Sequence, residues 1–138
     1  MSLNSIRQDV FTYFQTNWTT TDIVFQNQRT GDELIQGSDP WVYIYLKFAP
    51  KTVQMSLGQN NVRFARTGLV AIKSFCREED GSAVHYTMAD DLEDLFRNKK
   101  ISETQFKAPG TIFSENPPPG WLSANTTCSF VASSLHDF

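Results

Sequence analysis

The side chains of this 138-residue chain that could bind a metal ion or move a proton are densest in one acidic run, Asp90-Asp91-Leu92-Glu93-Asp94. Carboxylates bind hard cations and act as general acids or bases. Asp90 and Asp94 are four residues apart, which places two like charges on one side of a helix, and no His or Cys stands at ligand spacing beside them. We therefore interpret the run as the solvated side of a helix rather than as a metal or acid–base site.

Two histidines and two cysteines complete the reactive side chains. His85 falls near the start of the same predicted helix and His136 near the C-terminus, without a nucleophile motif such as G-x-S-x-G. Cys76 and Cys128 stand alone on predicted strands, which is typical of small buried hydrophobic residues. We expect no enzyme, no cofactor and no metal site. An active site assembled around His85 from residues distant in sequence stays open as an alternative.

Arg63 and Arg66 flank Phe64 on a predicted strand, a combination found on aromatic and basic platforms for nucleic acid. Such a platform also needs several exposed aromatic residues on one sheet face and a positive field around them. The chain has 12 Lys and Arg against 15 Asp and Glu, a net charge of −3, so broad attraction to a phosphate backbone is not expected. A nucleic-acid-binding module is therefore the less favoured alternative.

The length fits a single domain over residues 1–138, with a short C-terminal tail from about residue 134. The first residues lack the charged start and apolar run of a signal peptide, and no segment has the roughly 18 uninterrupted apolar residues of a membrane helix. We therefore expect the protein to remain in the cytoplasm of the cell that makes it, with no membrane partner.

The elements that must position these residues follow from the spacing of apolar side chains. Helical spacing predicts helices over residues 3–17 and 85–100. Alternating or continuous apolar runs predict strands over 21–28, 41–48, 52–57, 62–75, 103–114 and 121–133. The order predicts an α+β fold, with a mostly antiparallel sheet of four to five strands and the two main helices packed on one face.

Two local features refine this prediction. Gly68, inside the long strand, marks a bulge or a point of close backbone approach. The second helix carries its acidic run ahead of a basic group, Arg97, Lys99 and Lys100, and that order suits the helix dipole.

The strand over 41–48 is apolar on both faces, because Trp41, Tyr43 and Tyr45 alternate with Val42, Ile44 and Leu46. Two helices cover only one face of a sheet. Either a curled sheet edge or a neighbouring subunit must cover the other. Exposed aromatic sheet surface with charged margins is typical of oligomer interfaces.

Short motifs lie along this order of elements: Ser56-Leu57-Gly58, Arg66-Thr67-Gly68-Leu69-Val70, Ala89-Asp90, Leu92, Leu95-Phe96, Phe106-Lys107-Ala108-Pro109 and Trp121. With the order of elements they resemble the tail terminator proteins of tailed bacteriophages, the minor tail protein U-like family, and their prophage relatives, and the resemblance covers roughly residues 1–133. The proline loop at 115–120 departs from the family pattern.

The resemblance implies a virion structural protein that forms a ring, expected to be a hexamer, caps the tail tube, ends tail polymerisation and offers a surface to the head. The implied partners are further copies of the chain, the tail tube protein and a head–tail connector or neck protein, without specific nucleic acid. The implied location is the virion tail or neck, after assembly in the host cytoplasm. Another head–tail joining or neck protein is the alternative. The predicted interface residues are Trp41, Tyr43, Tyr45, Gln59, Asn60, Arg63 and Arg66.

Leu92→Asp is expected to unfold the protein, because a buried charge without a partner costs several kcal/mol against a total stability of about 5–15 kcal/mol. Thermal denaturation followed by circular dichroism checks this, with Asp91→Asn on the predicted solvated side as the matched control. A normal melting curve for the Leu92 variant would show that the buried side of the helix is assigned wrongly.

Overall fold

The structure is a computed structural model that describes residues 3–26, 40–50, 53–56 and 61–137. Within these residues the helices are α1 (Leu3–Asn17) and α2 (Ser82–Phe96), and a single 3-10 turn, Glu78–Asp80, precedes α2. The strands are β1 (Asp22–Phe25), β2 (Trp41–Phe48), β3 (Val53–Ser56), β4 (Asn61–Arg77), β5 (Lys100–Ile101), β6 (Thr104–Phe113) and β7 (Trp121–Asp137). The predicted α+β class is confirmed. Neither described helix is long and apolar enough to cross a membrane.

The described strands form one seven-stranded sheet in the order β1-β2-β4-β7-β6-β5, with β3 paired to β4 beside β2. The pairs are antiparallel except β1 with β2, which is parallel. The prediction of four to five strands was therefore too low, and the sheet is mixed. Strand β5 has two residues, too few to leave an alternation signal, and the direction of β1 depends on where the chain re-enters the sheet.

Strands β4 and β7 form the centre of the sheet. They pair over 17 residues each without a shift, from Asn61 opposite Asp137 to Arg77 opposite Trp121. At about 3.3 Å per residue this ribbon is about 55 Å long, against about 22 Å for a 15-residue helix. Residues 134–137 continue β7 instead of forming the tail expected from about residue 134.

Both helices pack on the same face of the sheet. An aromatic chain joins the layers: Phe14 of α1 stacks on Phe96 of α2 (6.1 Å), Phe96 meets Phe106 of β6 (5.0 Å), and Phe106 meets Phe130 of β7 (5.5 Å). Leu92 has no exposed surface. The buried cluster on this side also contains Ile6, Val10, Val42, Ile44, Leu46, Val70, Ile72, Met88 and Cys128.

Helix α2 ends one residue before Arg97, so the predicted basic group lies beyond the helix. Arg97 already has an extended backbone (φ −61, ψ 112) and Asn98 is left-handed (φ 55), so the helix ends at Phe96. The acidic run therefore occupies the last two turns of α2, where the helix dipole disfavours negative charge. The predicted dipole-favourable order is wrong, and Arg97 compensates locally by contacting Asp94 (2.6 Å) and Glu93 (3.4 Å).

Gly68 stands at a close backbone approach and not at a bulge, since β4 pairs with β7 through it without a shift and its pairing with β2 stays in register up to Gly68. A Cβ on Gly68 would overlap the carbonyl oxygen of Lys47 and would lie 2.9 Å from Cζ of Phe130. Because the first of these atoms belongs to the backbone, a side-chain rotation cannot relieve the overlap.

Gly68→Ala is expected to lower the free energy of unfolding by about 1–3 kcal/mol, the usual effect of forcing an extra carbon into a packed site. Gly110→Ala is the matched control, because Gly110 also lies within a strand and a Cβ there meets no atom within 4 Å. Urea denaturation of both variants measures the difference. Equal stability of the two variants would contradict the close approach.

Candidate interaction surface

The sheet face turned away from the helices carries part of the predicted interface, and we refer to it as the outer face. Because side chains alternate along each strand, the register assigns every position of the central strands to one face. The outer face comprises Trp41, Tyr43, Tyr45 and Lys47 of β2, Leu69, Ala71, Lys73, Phe75 and Arg77 of β4, Ile112 of β6, and Trp121, Ser123, Asn125, Thr127 and Ser129 of β7.

The three predicted aromatic interface residues all lie on the outer face but differ in access. Tyr43 and Tyr45 are half-buried, with ring centroids 5.7 Å apart. Trp41 is only 4% exposed and stacks on Phe75 at 4.2 Å. It belongs to a small second core with Val24 and Trp121. The aromatic side chains cover this end of the outer face themselves, and only the two tyrosines are accessible to a partner.

Of the other predicted interface residues, only Arg66 has a described side chain, and it does not lie beside these tyrosines. Arg66 alternates to the helix side of β4, so it does not share a face with Tyr45. The backbone of Arg63 lies in β4, and Gln59 and Asn60 lie outside the described residues. Among the described side chains, Arg66 therefore does not pair with the exposed aromatic residues, and the interface itself stays a prediction.

Two lysines border Tyr45, and the sequence reasoning missed both. Nζ of Lys47 lies 5.8 Å and Nζ of Lys73 lies 6.0 Å from the ring centroid, the outer limit of a cation–π contact. Farther along, the guanidinium of Arg77 lies 5.0 Å from the ring centroid of Trp121. None of the described side chains that β2, β4, β6 and β7 place on the outer face is acidic. The charged side chains that these four strands place on the outer face are therefore basic, while β1 adds the exposed Asp22 opposite Trp41 at the edge of the sheet.

Three buried side-chain polar atoms in the described part of the chain have no hydrogen-bond partner: Nε1 of Trp41, Nε of Arg77 and Oδ1 of Asn125. The register places all three side chains on the outer face. A buried polar atom without a partner costs about 1–3 kcal/mol. These costs are borne inside the subunit, and Nε of Arg77 also lies 3.7 Å from Oε1 of Glu79.

A groove of about 380 Å³ crosses this face beside Asn125, with Lys73, Phe75, Ile112 and Pro118 among its walls. Ile112 is 78% exposed, the largest exposure among the described large apolar residues. Pro118 comes from the proline loop that departs from the family pattern. Its carbonyl accepts a hydrogen bond from the backbone N–H of Trp121 (3.0 Å), so this wall of the groove is tied to β7.

His85, the centre of the alternative dispersed active site, is a core residue. Its Nε2 lies 3.4 Å from Oγ of Ser74, its ring meets Phe113 edge to face at 5.2 Å, and both polar side chains are buried. Burial lowers the pKa of His85 below its usual 6.5, and the contact with Ser74 partly opposes this. No described carboxylate orients the ring, so the pair lacks the third member of a triad.

The two cysteines are buried and free, as their sequence context predicts. Sγ of Cys76 contacts Sδ of Met88 at 3.0 Å, and burial, assisted by the charge of Asp80, raises the pKa of the Cys76 thiol to about 11. Sγ of Cys128 donates to the carbonyl of Lys107 at 3.1 Å. In the described part of the chain, no group of three or more His, Cys, Asp or Glu side chains is placed to hold a metal ion.

Comparison with known proteins shows a shared fold and identifies neither a family nor a function. No protein-family model matches the sequence, and no curated protein matches it. The solved structure of a protein whose name states no function superposes with a TM-score of 0.64, covering 96% of each chain at 12% sequence identity. At this identity the likeness shows a shared fold alone.

The stability of the protein is expected to fall as the pH decreases from about 7 to about 5, in part through His85. Its pKa is lower in the folded protein than in the unfolded chain, so the unfolded chain takes up the proton first. The contribution is complete above the unfolded pKa of 6.5 and is lost as the pH falls towards the folded pKa. Urea denaturation at pH 7.5 and 5.5 of wild type and His85→Gln measures it.

All other side chains are the same in the two proteins, so the comparison isolates His85. The wild type should lose more stability over the pH interval than His85→Gln. An identical loss in both would mean that His85 is protonated equally well in the folded and unfolded states.

Proposed function

We propose that this protein is a structural protein of a tailed phage or prophage, a tail terminator that assembles into a ring, caps the tail tube and presents a surface to the head or its connector. The observation that carries the proposal is the outer face, where half-buried Tyr43 and Tyr45 and exposed Ile112 lie on one side of the sheet. Aromatic residues are enriched at protein interfaces, and a neighbouring subunit would cover the exposed part of this face.

The long ribbon of β4 and β7 offers a surface for a second contact, with the tail tube. Beyond Ala132, which pairs with Thr104, β7 has no further described strand on its β6 side. Unpaired strand edges are ready to bind another chain by adding a strand. A terminator must meet both its own copies and the tube, and in this proposal the outer face serves the first contact and the ribbon end the second.

A single-stranded nucleic-acid-binding module is the second candidate, because Lys47 and Lys73 beside Tyr45 give the outer face a basic and aromatic character. This patch differs from the expected one at Arg63, Phe64 and Arg66. The net charge of −3 opposes it, since nucleic-acid affinity rests largely on a positive field. Oligonucleotide binding at low salt that weakens steeply as salt is added would favour this candidate.

Rings are expected when the purified chain is examined by light scattering coupled to size-exclusion chromatography and by negative-stain electron microscopy. The double variant Tyr43→Ala, Tyr45→Ala should shift the assembly towards monomer because it removes the accessible aromatic surface of the outer face. Leu3→Ala, which truncates an exposed apolar side chain on α1, is the matched control and should assemble normally.

Purified tail tubes then separate the terminator from another neck protein. A terminator should bind tube ends and stop further addition of tube protein, whereas a neck protein should bind the connector and leave tube growth unchanged. A strict monomer at high concentration with no affinity for tail tubes would overturn the proposal.

A further inference from the structure

We propose that neighbouring copies pack head to tail, with the outer face of one copy against the exposed side of α2 of the next. Lys47 and Lys73 then face the exposed carboxylates of Asp90 and Asp91. This inference rests on the proposed ring and names the surface of the second copy that covers the outer face.

Two exposed lysines and three exposed carboxylates lie on opposite sides of the sheet. Lys47 and Lys73 are exposed on the outer face, whose central strands contribute no acidic side chain. Asp90, Asp91 and Asp94 are exposed on the helix layer, behind the opposite face. Two unlike surfaces on opposite sides of one subunit form a heterologous contact, and repetition of such a contact closes into a ring when the rotation allows it.

The acidic side of α2 gains little from its own subunit. Its carboxylates lie near the C-terminal end of the helix, which disfavours negative charge, and Asp90 and Asp94 repel each other at a spacing of four residues. Arg97 pairs with Glu93 and Asp94. Within the described part of the chain, Asp90 and Asp91 have no ion pair. Lysines from a neighbouring subunit would offset this local repulsion.

The acidic side is also concave. A groove of about 400 Å³ between α1 and α2 is lined by Asp91 and Asp94 together with Tyr13 and Asn17, and Lys99 closes part of its rim. Tyr13 holds the two helices together by donating a hydrogen bond from its hydroxyl to the carbonyl of Leu95 (2.6 Å). The groove is therefore held by fixed contacts and can receive a lysine side chain between carboxylates.

The apolar and charged positions of the two surfaces are similarly spaced. On α2, Val84 is 42% exposed and lies seven residues before Asp91, about 10 Å along the helix. On the outer face, Ile112 and Lys73 lie on either side of Asn125 in one row across the strands. They are two strands apart, again about 10 Å. An α2 helix laid along this row brings Val84 to Ile112 and Asp91 to Lys73.

A second copy explains the outer face better than nucleic acid does. Phosphates would satisfy the lysines, but they would leave the acidic side of α2 unpaired and would be repelled by the net charge of −3. Packing between copies matches both surfaces at once.

Two charge-reversal variants of the full chain test the contact. The first carries Lys47→Glu and Lys73→Glu, and the second carries Asp90→Lys and Asp91→Lys. Each alone places like charges across every head-to-tail contact, so the protein concentration at half-assembly should rise at least tenfold. An equimolar mixture should assemble within about threefold of wild type, because each contact in an alternating ring again joins opposite charges.

The controls are Lys100→Glu with Lys107→Glu, which makes the same change of net charge elsewhere, and Asp9→Lys on α1. Circular dichroism melting confirms that every variant is folded. Light scattering over a concentration series measures assembly, and fluorescence anisotropy with a labelled oligodeoxythymidine measures nucleic-acid binding.

The possible results separate this inference from the proposed function. A wild-type chain that is always monomeric overturns both. Wild-type rings that neither variant weakens, or that the mixture does not restore, overturn the head-to-tail contact and leave the ring standing. If only the lysine variant loses assembly, the contact is face to face between two outer faces. If the lysine variant loses oligonucleotide binding and still assembles normally, the outer face binds nucleic acid. Both results overturn the inference.

Discussion

The in-register pairing of β4 with β7 is the constraint on which the rest of the structure depends. Because these two 17-residue strands pair without a shift, one ladder decides which side chains of the central sheet face the helices. A shift of this register by one residue would turn Lys73 towards the helices and expose Ile72. A charge would then be buried, and an apolar side chain would be lost from the core. Gly68 belongs to the same constraint, since the carbonyl of Lys47 approaches it too closely for a side chain.

The placement of both helices on one side of this ladder creates two unlike surfaces. The helix side buries an aromatic chain through Phe14, Phe96, Phe106 and Phe130, while the outer face keeps half-buried tyrosines and unpaired polar atoms. Where Trp41 stacks on Phe75, the outer face is covered by its own aromatic side chains. Opposite charges then fall on opposite sides, with lysines on the outer face and carboxylates on α2. In the head-to-tail packing proposed above, one copy covers the next and brings these two surfaces together.

Local patterns predicted local structure well. Helix α1 and strand β2 have the bounds that apolar spacing predicts, and Leu92 is buried as the stripe on α2 requires. The C-terminal end of α2 was missed because the run of charged residues continues the helical pattern, whereas the extended Arg97 and the left-handed Asn98 end it. Trp41 was assigned to the interface because alternation identifies the face of a side chain but says nothing about what covers it. Arg66 was grouped with the tyrosines because its face depends on a register that extends over two other strands.

The sequence by itself determined the α+β class, the helix and strand positions with strong periodicity, the buried cysteines and the lack of a recognisable catalytic motif, because these depend on residue type and spacing within one segment. The tertiary structure decided the parallel pairing of β1 with β2, the burial of Trp41 and His85, and the meeting of Lys47 and Lys73 around Tyr45. Each of these joins residues from different segments. Their contact depends on strand order and register, which are set by the packing of the whole sheet and leave no signal in any one stretch of the chain.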